Sequence, residues 1–210
     1  MKVVIIFGAS GGTGRELLKQ ALERDHQIIA FVRNPDKIAD IKTSDMGIIV
    51  GDVLDPQAVE NAVSEKDAVI SAIGAGANRS TLREEGTRNI IECMERKEVR
   101  RLVSLSSMGV GDSRSNLGFF TKYIVVPIFL RHAFADHEKQ ERVIRLSSLD
   151  WTIVRPPHLI DGACMGEYKH GIQIGEREIQ GKISRADVAN FMLNQLTEDT
   201  YLRQEVGISY

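Results

Sequence analysis

The sequence predicts a single α/β domain, with a mostly parallel β-sheet and helices on both of its faces. Short β-branched runs alternate with segments whose apolar residues recur at helical spacing, which is typical of consecutive βαβ units. The chain has 210 residues, of which 42% are hydrophobic, and this suffices for one core. No repeat, low-complexity stretch or linker divides residues 1–210, so we expect one domain.

The first part of the chain contains three predicted strands and two predicted helices. Val3–Phe7 is a continuous apolar run, which is typical of a strand buried on both faces. Residues at helical spacing follow it, namely Leu17, Leu18, Ala21 and Leu22. Further strands are predicted at Gln27–Val32 and Gly47–Val50. A helix should begin near Pro56, because proline suits a first helical turn.

The remainder of the chain continues the same alternation. Strands are predicted at Ala68–Ile73, Leu102–Leu105 and Trp151–Val154. Helices are predicted at Arg88–Arg96 and near Ala186–Leu196. We interpret the charge-rich run of residues 79–101 as the solvated face of a helix. Two less regular segments, about 110–135 and 156–182, are expected to form the substrate side of the same domain.

Composition excludes several classes of protein. Lys plus Arg number 27 and Asp plus Glu 29, so the formal charge is −2 and no basic excess indicates a nucleic-acid partner. Two cysteines, Cys93 and Cys164, cannot form a disulfide framework and fit a reducing compartment. No run approaches the ~20 apolar residues of a membrane span. We therefore expect a cytoplasmic protein without an integral membrane segment.

The strongest motif is the glycine-rich turn Gly8-Ala9-Ser10-Gly11-Gly12-Thr13-Gly14. It directly follows the first strand and opens the first helix. Glycine at these positions permits a tight turn, lets the backbone approach a pyrophosphate, and allows close packing of helix on strand. Free N–H groups at the helix start then bind phosphate. The motif predicts a Rossmann-type dinucleotide site; the alternative is a turn that binds nothing.

Arg33 follows the second strand, where an NAD-selective protein usually carries Asp or Glu. A guanidinium at this position pairs well with a 2′-phosphate. The sequence therefore favours NADP(H), with NAD(H) as an alternative, and Lys37 is a second candidate cation. In the alternative interpretation, both side chains are solvated surface charges. Asp52 follows the third strand and either accepts from the adenine amino group or caps the helix that starts near Pro56.

The glycine turn, Arg33 and Asp52 belong to a series of six short segments along the chain. In the order in which they occur, these six segments resemble those of the atypical short-chain dehydrogenase/reductases with an NAD(P)-binding Rossmann domain. The nearest group is the biliverdin-IXβ reductase/flavin reductase branch, which includes NmrA-like and NADH-flavin reductase-like proteins. The motifs that carry the resemblance are the glycine turn, Val32-Arg33, Gly51-Asp52-Val53-Leu54, Asp67-Ala68-Val69-Ile70, Glu85-Gly86-Thr87-Arg88-Asn89-Ile90 and Arg155-Pro156-Pro157-His158. This chain lacks the arginine expected shortly after Gly74.

The resemblance implies NADP(H) at the carboxyl edge of the sheet and hydride transfer to a planar acceptor such as a flavin, quinone or linear tetrapyrrole. It also implies the residues that contact the cofactor, which are Gly8, Ser10, Gly11, Gly12, Thr13, Gly14, Arg33, Asp52, Val53, Ala72, Ile73, Gly74, Ser106, Ser107, Pro156 and His158. Ser107 and His158 are the candidate catalytic residues at the nicotinamide end. For each, the alternative is structural: a capping serine and a histidine bonded to the backbone.

The chain lacks the Tyr-x-x-x-Lys pair with which many dehydrogenases reduce carbonyls. Tyr123, Tyr168 and Tyr201 are followed four residues later by Pro127, Ile172 and Glu205 respectively, and Tyr210 is the last residue. This argues against ordinary ketone or sugar-epimerase chemistry, whereas an electron-poor ring needs only stacking and a weak proton donor.

Two functions remain open at this stage: a reductase of planar acceptors and an NADP(H)-sensing regulator that catalyses nothing. His132 and His137 are five residues apart and make a poor metal pair, so we expect no metal site. The apolar segment Leu117–Leu130 is a packing helix of the core or of a dimer, a lid over the acceptor, or a membrane-surface contact. The protein is expected to be a monomer or a homodimer.

Overall fold

The computed structural model describes residues 2–24, 26–41, 43–75, 80–111, 113, 130–172 and 181–210. In that part of the chain the strands are β1 (Val3–Phe7), β2 (Gln27–Val32), β3 (Met46–Val50), β4 (Ala68–Ser71), β5 (Arg101–Leu105), β6 (Asp150–Arg155), β7 (His158–Ile160), β8 (Lys169–Gly171), β9 (Lys182–Ser184) and β10 (Gln204–Ser209). The helices are α1 (Gly12–Leu22), α2 (Pro56–Val63), α3 (Leu82–Arg96), α4 (Arg131–Leu146) and α5 (Arg185–Asn194), with a short 3₁₀ turn at Pro35–Ile38.

Eight strands form one sheet in the order β3-β2-β1-β4-β5-β6-β10-β8. All neighbours in it are parallel except β8, which runs antiparallel to β10. The chain starts in the middle at β1, builds outward through β2 and β3, and then returns to place β4 on the other side of β1. This reversal opens a crevice at the carboxyl ends of β1 and β4, where ligands bind in doubly wound folds.

The core has two layers, one on each face of the sheet. Successive side chains of a strand point to opposite faces, and β1 shows this directly. Val4 and Ile6 pack in the cluster that includes residues of α1 and α5, whereas Ile5 and Phe7 pack in the cluster that includes residues of α2, α3 and α4. All four side chains are fully buried, as the continuous apolar run predicts.

The structure confirms the α/β class and each predicted strand, with differences at the boundaries. α3 begins at Leu82, six residues before the predicted start at Arg88. α4 and β10 were not predicted, and the segment of residues 156–182 contains the short strands β7 and β8. No helix among the described residues is long and apolar enough to cross a bilayer. Residues 114–129, most of the apolar segment Leu117–Leu130, lie outside the described residues.

The interpretation of the charged run of residues 79–101 as a solvated face was wrong for two of its arginines. Arg83 and Arg101 are buried, at 6% and 9% exposure. The Arg101 guanidinium donates to the carbonyl oxygens of Gln195 and Asp150 and to Thr152 Oγ1, at 2.6–3.0 Å. These acceptors replace water around the guanidinium, which is why the charge can be buried there.

Candidate functional site

The glycine turn brings the start of α1 against the end of β4. Gly8 has φ +76°, and a Cβ at this position would lie 2.4 Å from the Ala72 carbonyl oxygen. A Cβ on Gly14 would lie 2.1 Å from the Gly8 carbonyl oxygen. Gly11 N–H donates to that same oxygen at 3.0 Å, which closes the turn. At Gly11 itself a Cβ would meet only the Gly8 carbonyl oxygen, at 3.3 Å. The turn is therefore tightly packed where it faces the protein interior and open where Gly11 faces the cleft.

A cleft of about 460 Å³ lies at the carboxyl edge of the sheet, in front of this turn. The structure brings most of the predicted site residues to its wall. These are Gly8, Ser10, Gly11, Gly12, Thr13, Arg33, Asp52, Val53, Ala72, Ile73, Gly74, Ser106, Ser107 and Pro156. They come from the ends of β1 to β6, which are far apart in sequence and adjacent in the sheet.

Two predicted site residues do not line the cleft. Gly14 is buried against the backbone of the turn and has a packing role. His158 is exposed at the first position of β7, while its neighbours Pro157 and Leu159 line the cleft. The His158 backbone N–H donates to the Gly181 carbonyl at 3.2 Å. The structure thus leaves His158 off the cleft wall, and its predicted place beside the nicotinamide stays a prediction.

One end of the cleft is cationic. Arg33 is exposed at the end of β2, and Lys37 in the following 3₁₀ turn lines the same end. Asp52 Oδ1 accepts from Leu54 N–H at 3.0 Å, so this carboxylate shapes the turn after β3. The helix cap that the sequence left open for Asp52 is supplied by Asp55, whose Oδ1 accepts from Gln57 N–H at 2.9 Å.

The opposite end of the cleft carries the hydroxyl groups of Ser106 and Ser107, and a buried ion pair holds the hydroxyl of Ser106. Ser106 Oγ donates to Glu141 Oε1 at 2.7 Å. Glu141 is fully buried and accepts from Arg155 Nε at 2.9 Å and from a terminal guanidinium nitrogen of Arg155 at 2.7 Å. The partly buried Ser107 follows, and its Oγ donates to the Met108 carbonyl at 3.2 Å. The Ser106 hydroxyl is thus fixed by residues of α4 and β6, whereas the Ser107 hydroxyl donates to the carbonyl of the next residue in the chain.

His137 on α4 also lines this end of the cleft. Its Nδ1 lies 3.1 Å from Gln140 Oε1, and Gln140 Nε2 lies 3.3 Å from Ser104 Oγ and 3.4 Å from Thr87 Oγ1. Burial lowers the pKa of His137 to about 3, with a further contribution from the positive charge of Arg83. Burial therefore favours the neutral ring at pH 7, and its Nδ1 lies within hydrogen-bond range of both Gln140 Oε1 and Ser106 Oγ.

Sequence reasoning did not place three of the polar side chains that line the cleft, Arg83, His137 and Arg185. They lie on α3, α4 and α5, outside any local motif, and only the packing of these helices on the sheet brings them to the edge. Arg185 pairs with Asp161 at 2.7 Å, and its aliphatic part contacts Gly12 closely enough to exclude a Cβ there.

This donor set fits a phosphorylated dinucleotide. The bare backbone of the turn faces the open cleft and matches a pyrophosphate, Arg33 and Lys37 match a further phosphate at one end, and hydroxyl groups line the other end. Within the described ranges, no group of three or more His, Cys, Asp or Glu side chains is arranged to hold a metal ion.

Comparison with known proteins agrees with this geometry. A family model described as NAD(P)H-binding matches residues 8–199. YwnB of Bacillus subtilis is 30% identical over 204 residues, covering 93% of this chain and 92% of that protein. A wide-type short-chain dehydrogenase/reductase of Veillonella parvula, crystallised with NADP, superposes with a TM-score of 0.85 at 20% identity, over 100% of this chain and 94% of that one. ChuY of Escherichia coli O157:H7, described as an anaerobillin reductase, gives a TM-score of 0.82 at 24% identity, over 99% and 96% of the two chains.

Proposed function

Since this chain belongs to the family of NAD(P)H-binding Rossmann-fold proteins, we propose that it is a reductase that prefers NADPH to NADH and reduces a planar conjugated acceptor. A flavin, a quinone or a tetrapyrrole-like molecule has the required shape. The observation that carries the proposal is a single cleft that joins a glycine turn, a cationic end and a hydroxyl-lined end. The NADP complex and the anaerobillin reductase among proteins of similar fold support it.

In this proposal the glycine turn and the first turn of α1 bind the pyrophosphate. Their N–H groups point at the phosphates, and the helix end favours negative charge. Arg33, assisted by Lys37, binds the 2′-phosphate through charge-assisted hydrogen bonds. Asp52 and Val53 border the adenosine, and Ala72, Ile73 and Gly74 border the middle of the cofactor.

At the other end, Ser107 is the residue we assign to the nicotinamide carboxamide or to an acceptor oxygen. Bound NADPH supplies a hydride, and a proton from water completes the two-electron reduction of the acceptor. The protein contributes position: the acceptor stacks between the cofactor site and the apolar wall formed by Leu105, Pro157 and Leu159. We assign no catalytic role to His158. The free thiols of Cys93 and Cys164 fit the predicted cytoplasmic location.

The proposal is tested by following NADPH oxidation at 340 nm with FMN, menadione and a linear tetrapyrrole as separate acceptors. We expect turnover above background with at least one of them, and slower turnover with NADH. A Ser107→Ala variant should lower kcat/KM by about tenfold, since it loses one hydrogen bond to the reacting groups.

The alternative is the NADP(H)-sensing regulator. Tight NADPH binding by calorimetry together with no turnover of any of the three acceptors would favour it over the reductase. Loss of both binding and turnover would contradict both functions.

A further inference from the structure

Arg83 is a buried cation on the wall of the cleft. It occupies the second residue of α3, is 6% exposed, and lines the cleft beside Leu82. Its guanidinium pairs at 3.3 Å with Asp136, the residue before His137 on α4, and this contact places it near the hydroxyl-lined end. The pyrophosphate-binding turn lies elsewhere, at the start of α1. Arg83 is therefore placed to meet the acceptor.

The hydrogen bonds of this guanidinium are incomplete. One terminal nitrogen donates to Asp136 Oδ2 at 3.3 Å. Nε is fully buried and has no acceptor among the described residues, so the donors that can face the cleft are those of the two terminal nitrogens, for which Asp136 is the one acceptor in the described part of the chain. A guanidinium carries five N–H donors, and leaving donors of a buried cation unused is costly unless another group uses them.

Asp136 does not balance the charge of Arg83, because its carboxylate also serves the start of α3. Its oxygens accept from the backbone N–H of Arg83 at 3.3 Å and of Glu84 at 3.1 Å. A helix N-terminus carries about half a positive elementary charge. One carboxylate thus faces a full and a partial positive charge, and the local sum is positive.

The other charges near this wall do not neutralise Arg83. Glu84 pairs with Arg88 at 3.3 Å and with Lys139 at 3.1 Å. Glu141 pairs with Arg155 at 2.7 Å and with Arg145 at 3.0 Å. His137 is the neutral imidazole described above. An anionic group that enters the cleft at this end therefore meets a cation with unused donors.

We propose that Arg83 binds an anionic group, a carboxylate or a sulfonate, carried by the acceptor that is reduced. This inference rests on the proposed reductase function and narrows its substrate class: planar acceptors with a negatively charged substituent are preferred to uncharged ones. A guanidinium holds such a group through charge-assisted hydrogen bonds, which are stronger than neutral ones.

The test compares 1,4-naphthoquinone-2-sulfonate with uncharged 1,4-naphthoquinone in the NADPH oxidation assay. In Arg83→Met we expect the KM for the sulfonate to rise by about tenfold, because a charge-assisted hydrogen bond is lost, while the KM for the uncharged quinone changes less than about twofold. Arg83→Lys should retain part of the preference. Arg96→Met, at an exposed arginine of the same helix that pairs with Glu60 outside the cleft, is the matched control and should leave both values unchanged.

Equal rises of KM for both quinones in Arg83→Met would overturn the inference, as would a loss of NADPH affinity with unchanged discrimination, since Arg83 would then serve the cofactor. If Arg83→Met does not fold, the double variant Arg83→Gln/Asp136→Asn, which removes both charges of the pair, takes its place. If wild-type protein reduces neither quinone, the proposed function fails separately. Calorimetry then measures binding of the sulfonate to the NADP⁺ complexes of the wild type and of Arg83→Met. Binding to the wild type that is lost in Arg83→Met supports the anion site. Equal binding to both proteins, or no binding to the wild type, rejects it.

Discussion

At the scale of single residues, the cofactor preference depends on Arg33. This side chain is exposed at the end of β2, at the cationic end of the cleft. The position of Arg33 at the end of the second strand could be predicted from the sequence, because one helix and one strand separate it from the glycine turn. Ser107, two residues after the end of β5, lines the same cleft, and its role toward the cofactor or the acceptor stays a prediction.

Replacing Arg33 with Ala should weaken NADPH binding far more than NADH binding. The expected difference is about 1.5–3 kcal/mol, the usual contribution of a hydrogen bond to a charged group, and titration calorimetry with each cofactor measures it. Arg96→Ala, at an exposed arginine of α3 outside the cleft, is the control. Equal losses for the two cofactors in Arg33→Ala would contradict the assignment to the 2′-phosphate.

Other single-residue predictions depended on side-chain direction and were less successful. His158 was expected at the nicotinamide, but it is exposed at the start of β7 and does not line the cleft. Asp52 was a candidate cap for α2, but the hydrogen bonds show that Asp55 fills this position, while Asp52 accepts from Leu54 N–H. A local pattern gives the order of residues but does not give the orientation of each side chain.

At the scale of elements, strands were predicted better than the helices that pack on them. α4 shows why. It contains many charged residues, and its buried side chains include Asp136, Gln140 and Glu141. These polar groups are buried because each has partners on α3, β5 or β6, for example Glu141 with Arg155 at 2.7 Å. Hydrophobic periodicity cannot detect a helix face that is buried through hydrogen bonds.

The start of α5 is joined to the C-terminal residue by a hydrogen bond that should contribute to stability. Tyr210 OH donates to Asp187 Oδ2 at 2.6 Å. Burial alone would raise the pKa of Asp187, but hydrogen bonds from Tyr210, Ser184 and the N–H groups of Gly166 and Met165 outweigh burial and lower it. A lowered pKa means that the charged form of this carboxylate stabilises the fold.

Tyr210→Phe should reduce the free energy of unfolding by about 1–2 kcal/mol at pH 7, since the bond to the charged Asp187 is lost and the Ser184 N–H loses its acceptor. The difference from wild type should be constant at neutral pH and should shrink only in acid, as the pH falls below the ordinary aspartate range and through the lowered pKa of Asp187. Urea unfolding at several pH values measures this. Tyr168→Phe, which removes a bond to the neutral Asn190, is the comparison and should show no such pH dependence. A Tyr210→Phe effect that does not shrink at all down to the lowest pH at which the wild-type protein stays folded would rule out this origin.

At the scale of the whole molecule, cofactor binding should be coupled to stability because the cleft is assembled from six strand ends and several helices. At a cofactor concentration of about 100 times Kd, binding adds about 2.7 kcal/mol. For a chain of this size each kcal/mol corresponds to about 2–4 °C in Tm. NADPH should therefore raise the Tm by roughly 5–10 °C in a thermal melt.

Two glycine variants separate binding from folding in that experiment. Gly11→Val should abolish the NADPH-induced rise in Tm and leave the protein folded, because a side chain there enters the open cleft and meets only one backbone oxygen, at 3.3 Å. Gly14→Val should instead lower the Tm of the free protein, because its Cβ would lie 2.1 Å from the Gly8 carbonyl oxygen. An undiminished rise in Gly11→Val would mean that the pyrophosphate lies elsewhere.

The sequence by itself determined the parallel α/β fold, the glycine turn and the cationic residue after β2. Each of these follows from residues adjacent in the chain, through strand periodicity, backbone freedom at Gly8 or spacing from the turn. Only the tertiary structure decided that Arg83, His137 and Arg185 reach the same cleft, that His158 does not line it, and that Glu141 on α4 holds Ser106 just after β5. Those relations depend on how separate helices pack against the sheet edge, and no local pattern in the chain contains that geometry.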